Sequence, residues 1–199
     1  MISHFLFDGA IKDYSNLIKK VKLNKNQILF SEGDRCDSVY LVLSGCINIS
    51  TITLEGKEYV FNTLNKNDIF GDSLSFLEKN EYLGDGIAFE KSEIAIINKD
   101  DFINILREDR NVLNNYLSYN AKRNLETRFK IKLFSQQSIR DKILFYLKEK
   151  EKNKIVYIKS KEALAKELNV LRPSLSRELI ELKKENIIDY DRKKIIFLK

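Results

Sequence analysis

Few side chains in this chain could make or break bonds. It has one histidine, His4, and two cysteines, Cys36 and Cys46, in 199 residues. These three cannot furnish the thiolate and imidazole set of a closed zinc or iron–sulfur site. A serine–histidine or cysteine–histidine pair would need His4 to fold back from a mobile terminus. Cys36 falls in a turn and Cys46 at a strand start, where an inert thiol is expected and no disulfide framework exists. With no phosphate-cradling glycine loop either, the sequence argues against an enzyme. What its side chains are equipped to do is neutralise phosphate. Residues 136–199 hold 17 Lys/Arg against 10 Asp/Glu, a net of +7, whereas residues 1–135 hold 18 against 19, a net of −1. The overall +6 thus lies wholly in the last third. A basic module joined to a neutral one suggests nucleic-acid binding, and a solvated lysine-rich surface is the plainer alternative.

The elements that must position this charge change period along the chain. Short β-branched and aromatic runs fill Lys20–Leu23, Gln27–Phe30, Val39–Leu43, Ile47–Ile52, Glu58–Phe61, Gly86–Phe89 and Glu93–Ile97, separated by turn signals such as Glu32-Gly-Asp34 and Glu55-Gly56. This spacing predicts an all-β sandwich or jelly roll, preceded by a short helix over Ala10–Lys20. Asp100–Glu108 reads as a short amphipathic helix, and Asn111–Phe134 as a long one. Along the latter, Leu113, Leu117, Asn120, Asn124, Thr127, Ile131 and Phe134 alternate in steps of four and three, the period of a coiled-coil dimer seam with a polar middle. Packing of the same helix on its own β-domain through Val112 and Tyr116 is the competing reading. Ser135–Ser138 is a candidate hinge.

Ser138 then caps a helix carrying Ile139, Ile143, Leu144, Tyr146 and Leu147, with Asp141 where a capping box usually has Glu or Gln. Val156–Ile158 suggests a short strand, and Ser160 the cap of a helix Lys161–Leu168. After a bend, Pro173, the chain's single proline, suits the first helical position of a helix running on to Glu185. Asn186–Ile188 and Lys194–Leu198 flank a turn at Asp189–Arg192. Helix, short helix, tight bend, helix and hairpin make a winged helix-turn-helix, although two small helices around a bend also fit an ordinary helical core. The fold class expected is α+β: an N-terminal double-stranded β-helix (jelly roll) over 1–109, a dimerisation helix and hinge over 110–137, and a winged helix-turn-helix over 138–199.

Three segments together carry a family resemblance. Glu32-Gly-Asp-Arg-Cys-Asp-Ser-Val-Tyr40, with the following Leu-Val-Leu-Ser-Gly45, resembles the opening of a cyclic-nucleotide-binding-like β-roll. Asp68-Ile-Phe-Gly71-Asp72 resembles the start of its ligand cassette. Arg172-Pro-Ser-Leu-Ser-Arg177 resembles a recognition helix of the CRP/FNR transcription regulators. The similarity covers nearly the whole chain, in the right order. It implies a homodimer paired through the central helices, reading an inverted repeat in double-stranded DNA, with RNA polymerase as a further partner and no membrane association. An opening stretch without a signal-peptide pattern adds a cytoplasmic location.

The resemblance also assigns residues. Arg172 and Arg177 match the family's two base- and backbone-contacting arginines, whose fork suits guanine O6 and N7. Pro173 stands at the commonly acidic base-reading position and supplies neither donor nor acceptor. Ser174 and Ser176 are candidates for phosphate or base contacts, and Arg192, Lys193 and Lys194 in the wing turn for flanking phosphates. For the effector, cyclic AMP is disfavoured. The Arg-Ser pair that neutralises its phosphate reads Tyr82-Leu83 here, and the ribose-holding Glu is replaced by Asp72, so the charge-assisted bonds are missing. Arg123 and Thr127 do match pocket-facing positions. What remains is a more apolar site around Ile49, Phe61, Gly71, Tyr82 and Leu83 for a different small effector, or a filled core with no ligand and no cofactor. A ligand-binding regulatory subunit acting through protein–protein contacts is the alternative function.

Overall fold

A computed structural model describes residues 4–7, 14–53 and 55–198, and divides the chain into two compact units, 1–120 and 121–199. Unit one carries β1 (Ile18–Leu23), β2 (Ile28–Phe30), β3 (Ser38–Ser44), β4 (Cys46–Ile52), β5 (Glu58–Asn65), β6 (Ile69–Phe70), a one-turn α1 (Asp72–Ser75), β7 (Asp85–Ala88), β8 (Ser92–Asn98) and α2 (Lys99–Glu108). The strands form two antiparallel four-stranded sheets, ordered β1-β8-β3-β6 and β2-β7-β4-β5. Val39, Leu41, Ile69, Ala95 and Ile97 pack under α2 through Phe102 and Ile105, while Phe30, Val42, Ile47, Phe70, Tyr82 and Ile94 fill a second core. This jelly-roll-like arrangement with appended helices is the expected α+β class. Two expectations change near the chain start. The helix drawn over Ala10–Lys20 falls partly outside the described residues, and its end, Ile18–Lys20, is β-strand, because pairing with Ile97–Ala95 of β8 buries Ile18. His4 is not at a loose end: it is buried at the start of a 3₁₀ turn, Phe5–Phe7, whose carbonyls accept hydrogen bonds from Asn115.

His4 gives a pH prediction. Its Nδ1 accepts the Leu6 N–H at 3.3 Å, leaving Nε2 to carry the proton of the neutral ring. Burial lowers its pKa from 6.5 to about 4, against an opposing pull from the Asn67 backbone. Between these values the unfolded chain binds a proton that the folded chain does not. Stability is therefore full above pH 6.5 and falls as pH drops toward 4, by up to about 3 kcal/mol. Urea unfolding at pH 7 and pH 5 should show a steeper loss for wild type than for His4→Gln.

The long helix α3 (Arg110–Phe134) begins in unit one and ends in unit two. In unit one Val112 is buried beside half-buried Tyr116 and Tyr119; in unit two Leu133 is buried and Phe129 packs on the core around it. Leu117, Ile131 and Phe134 are 55%, 64% and 46% exposed. The helix thus packs on its own domain through one stripe and leaves much of the 4-3 seam uncovered. It stops at Phe134, where Ser135 and Gln136 donate side-chain hydrogen bonds back to Lys132 O. Among the described residues no helix is long and apolar enough to cross a membrane.

Unit two continues with α4 (Ile139–Lys150), β9 (Ile155–Tyr157), α5 (Lys161–Glu167), α6 (Arg172–Lys184), β10 (Ile188–Tyr190) and β11 (Lys194–Phe197). The strands form one antiparallel sheet, β10-β11-β9. Ile143, Leu147, Leu164, Leu168, Leu175, Leu179, Leu182 and Ile195 form its core.

Candidate nucleic-acid interface

Local chemistry explains how α5 and α6 are placed. The Ser160 hydroxyl accepts the Ala163 N–H at 3.0 Å and starts α5. Asn169 ends that helix in the left-handed region at φ 51°, and the Val170 N–H returns to Ala165 O at 3.0 Å. This Schellman-type closure turns the chain sharply. α6 then begins at Arg172, one residue ahead of Pro173, so the proline is the second helical residue rather than the first. On α4, Ser138 accepts the Asp141 N–H at 3.0 Å and donates to the Asp141 carboxylate at 2.6 Å. The shorter acid thus closes on the capping hydroxyl itself.

Burying Leu175, Leu179 and Leu182 decides what α6 presents outward. Arg172, Pro173 and Arg177 are exposed, and Ser174 and Ser176 are half-buried on the flanks. Ile180 and Lys184, three and seven residues beyond Arg177, share its outward face and are exposed. Sequence reasoning missed both, although the helical period of the three leucines implies them. An exposed isoleucine beside arginine suits contact with a thymine methyl group. Arg172 is paired with Glu162 of α5, Nε to Oε2 at 3.7 Å.

The wing is bound to the same helix. Asp191 accepts the backbone N–H groups of Lys193 at 2.7 Å and Lys194 at 3.0 Å, tightening the β10–β11 turn. Those bonds, Lys193 first, hold its carboxyl below the usual range. Arg192 and Lys193 are exposed; Lys194 is half-buried opposite Tyr157 of β9. Lys183 of α6 pairs with Asp189 of β10, and the ammonium groups of Lys161 and Lys183 stand 4.4 and 5.6 Å from the Tyr190 ring centroid. On the other side, Arg140 of α4 reaches Glu178 at 3.5 Å and also Glu185. The Lys183–Asp189 pair is exposed and weak alone, and Arg140 and Glu178 are half-buried; together these pairs fix α6 against α4 and the wing.

In unit one, the candidate effector residues lie in unlike surroundings. Gly71 sits at φ 76° and opens α1, and Asp72 beside it is buried with its carboxylate accepting the Tyr116 hydroxyl at 3.2 Å. The Tyr82 ring stacks on Phe30 with centroids 3.8 Å apart, and Tyr40 and Phe70 complete the cluster. The Tyr82 hydroxyl is buried beside the Cys36 thiol and Tyr40, and burial pushes its pKa upward. Ile49 packs on the same core. Phe61 and Leu83, expected to line an apolar pocket, are 44% and 71% exposed. Arg123 and Thr127 belong to unit two, where the Thr127 hydroxyl donates to Arg123 O at 3.0 Å. An open cleft of about 370 Å³ lies instead beside Tyr82 and Leu83, walled by Leu74, Leu77, Glu32 and Lys79. Burial also pushes the Cys36 thiol upward, as an unreactive cysteine requires.

A β-roll with a glycine-led cassette is followed along the chain by a winged helix-turn-helix. Residues 20–109 match the family model of the cyclic nucleotide-binding domain. The anaerobic regulatory protein of Bacillus subtilis is 26% identical over 90% of this chain and 79% of its own length. The cyclic AMP receptor protein of Thermus thermophilus is 26% identical over 60% of this chain and 55% of its length. In fold, the structure of a CooA mutant from Carboxydothermus hydrogenoformans matches with a TM-score of 0.63 at 17% identity, covering 100% of this chain and 92% of that one. In sequence and fold the chain is thus similar to regulators of the CRP/FNR type.

Proposed function

We propose that this regulator works as a cytoplasmic homodimer on an inverted-repeat operator, using α6 for base contacts and the wing for flanking phosphates. The observation that carries the reading is that Arg172 and Arg177 of α6 are both exposed, in the same unit as an exposed basic wing turn at Arg192 and Lys193. The division into a sensor over 1–109, a dimer helix and hinge over 110–137 and a reader over 138–199 belongs to this proposal. The uncovered Leu117, Ile131 and Phe134 supply the apolar part of the helix pairing. Two recognition helices so related address half-sites about 34 Å apart. RNA polymerase is the expected protein partner on the promoter.

A small effector, where there is one, is not cyclic AMP bound in the family's usual manner. Tyr82 occupies with an aromatic ring the place of the phosphate-neutralising arginine, and Asp72 is engaged by Tyr116. Thermal-shift assays should therefore show no stabilisation by millimolar cyclic AMP. A ligand at 100 times its dissociation constant would add about 2.7 kcal/mol and an obvious shift. The function itself is tested by selecting duplexes from a randomised pool with the full-length protein. A symmetric consensus is expected. No enrichment, together with salt-insensitive binding to a protein, would favour the regulatory-subunit alternative.

A further inference from the structure

Glu162 is an awkward residue for a phosphate-facing surface. It lies in the first turn of α5, two residues after the capping Ser160. Its side chain is 59% exposed, yet it points to Arg172, the first residue of α6. A duplex read by Arg172 brings phosphates close to this carboxylate, and like charges brought together weaken binding. The geometry supplies a reason for it. The approach of Glu162 Oε2 to Arg172 is at Nε, 3.7 Å away. Arginine has five donors in a rigid fork on a long flexible stem. Contact at Nε fixes the stem while leaving terminal donors for guanine O6 and N7. Nothing on α6 can do the same, since its first turn contains no acidic residue and its capping position, Leu171, makes no side-chain cap.

We propose that Glu162 is a positioning residue of the DNA-reading surface, holding Arg172 in the rotamer that delivers its fork to a guanine. It exchanges some overall affinity for base discrimination. The inference rests on the assignment of Arg172 as a base-reading residue made above.

Two effects of opposite sign follow. Removing the charge relieves repulsion from every duplex, whereas freeing Arg172 blurs the reading of one base pair in each half-site. A merely structural residue would instead lower all affinities together with the unfolding temperature. The exposed pair itself adds little to stability, so unfolding should hardly move.

The test uses full-length protein, the duplex selected by wild type, a set of duplexes each changed at one base pair, and a scrambled control, all by fluorescence anisotropy at fixed salt. Glu162→Gln is expected to lose roughly threefold to tenfold of the discrimination at one guanine position, while binding the scrambled duplex as well as wild type or better. Glu162→Asp, charged but one methylene shorter, should recover part of that loss. In an Arg172→Ala background, Glu162→Gln should alter discrimination nowhere. Full discrimination in Glu162→Gln, while Arg172→Ala flattens a guanine position, overturns the role of Glu162 alone. Unchanged discrimination in Arg172→Ala overturns the base-reading assignment and the inference with it.

Discussion

Arg177→Ala is expected to weaken binding to the selected operator by about 30-fold or more, with a much smaller effect on scrambled DNA. The magnitude follows from losing one charge-assisted, geometrically matched base or backbone contact per half-site, at about 1–3 kcal/mol each. Arg177 is exposed on the side of α6 opposite Leu175, Leu179 and Leu182, so its truncation leaves the core intact and unfolding should not shift. Lys193→Ala provides the contrast. A wing lysine that meets phosphate should weaken all sequences about equally and reduce the salt slope by about one. Anisotropy titrations at several salt concentrations separate the two. Equal losses on operator and scrambled DNA for Arg177→Ala would reduce it to a phosphate contact.

The second large effect is on stability. Gly71→Ala should destabilise unit one by about 2–4 kcal/mol, read as a fall in the urea midpoint. At φ 76° a non-glycine residue already carries strain of about 1–2 kcal/mol. In addition, a Cβ there would stand 2.6 Å from Ser38 O and 2.9 Å from the Tyr40 ring, and the nearer atom is backbone that cannot rotate away. The shift would strike the stack of Tyr40 on Phe70 and the start of α1, the segment that buries Asp72. Gly56→Ala is the control: φ is 75° but no atom lies within 4 Å, so only the conformational part should appear. Equal losses at both positions would show that close approach at Gly71 contributes nothing.

These expectations draw unevenly on sequence and structure. The reader domain was largely legible, since Ser160, Pro173 and leucines at helical spacing carry local instructions that the tertiary structure obeys. Asn169, at positive φ, ends α5 in the expected bend; Asn186, read as the start of a hairpin arm, is also at positive φ and instead closes the end of α6. Most β-roll strands were legible through period-two patterns between glycine turns. β6 was not, because two residues, Ile69 and Phe70, become a strand only by pairing with Leu41 and Tyr40. Ile18–Lys20 suited a helix as well as a strand until β8 decided the matter.

The effector cassette was legible as a motif but not as a cavity. That Tyr82 lacks a cation was plain, yet its stack on Phe30 joins residues 52 positions apart and depends on three-dimensional packing. The same holds for Asp72 and Tyr116, 44 positions apart. α3 was a choice between two readings, dimer seam or intramolecular packing. Val112 and Tyr116 are covered, as the intramolecular reading expects, while Leu117 and Ile131 are exposed. Ile180 and Lys184 lie beyond the Arg172–Arg177 motif, and only the helical period of the buried leucines places them on its face.

The central claim, that the basic third reads a symmetric DNA sequence, is tested most directly by measuring the affinity and stoichiometry of the full-length protein on its selected duplex against a scrambled one, at physiological salt. The account predicts two protomers per duplex and a preference of at least about a thousandfold. It also predicts that separating the half-sites by five further base pairs, half a helical turn, abolishes most of that preference. Equal affinity for both duplexes, or one protomer per site with no sensitivity to spacing, would contradict it.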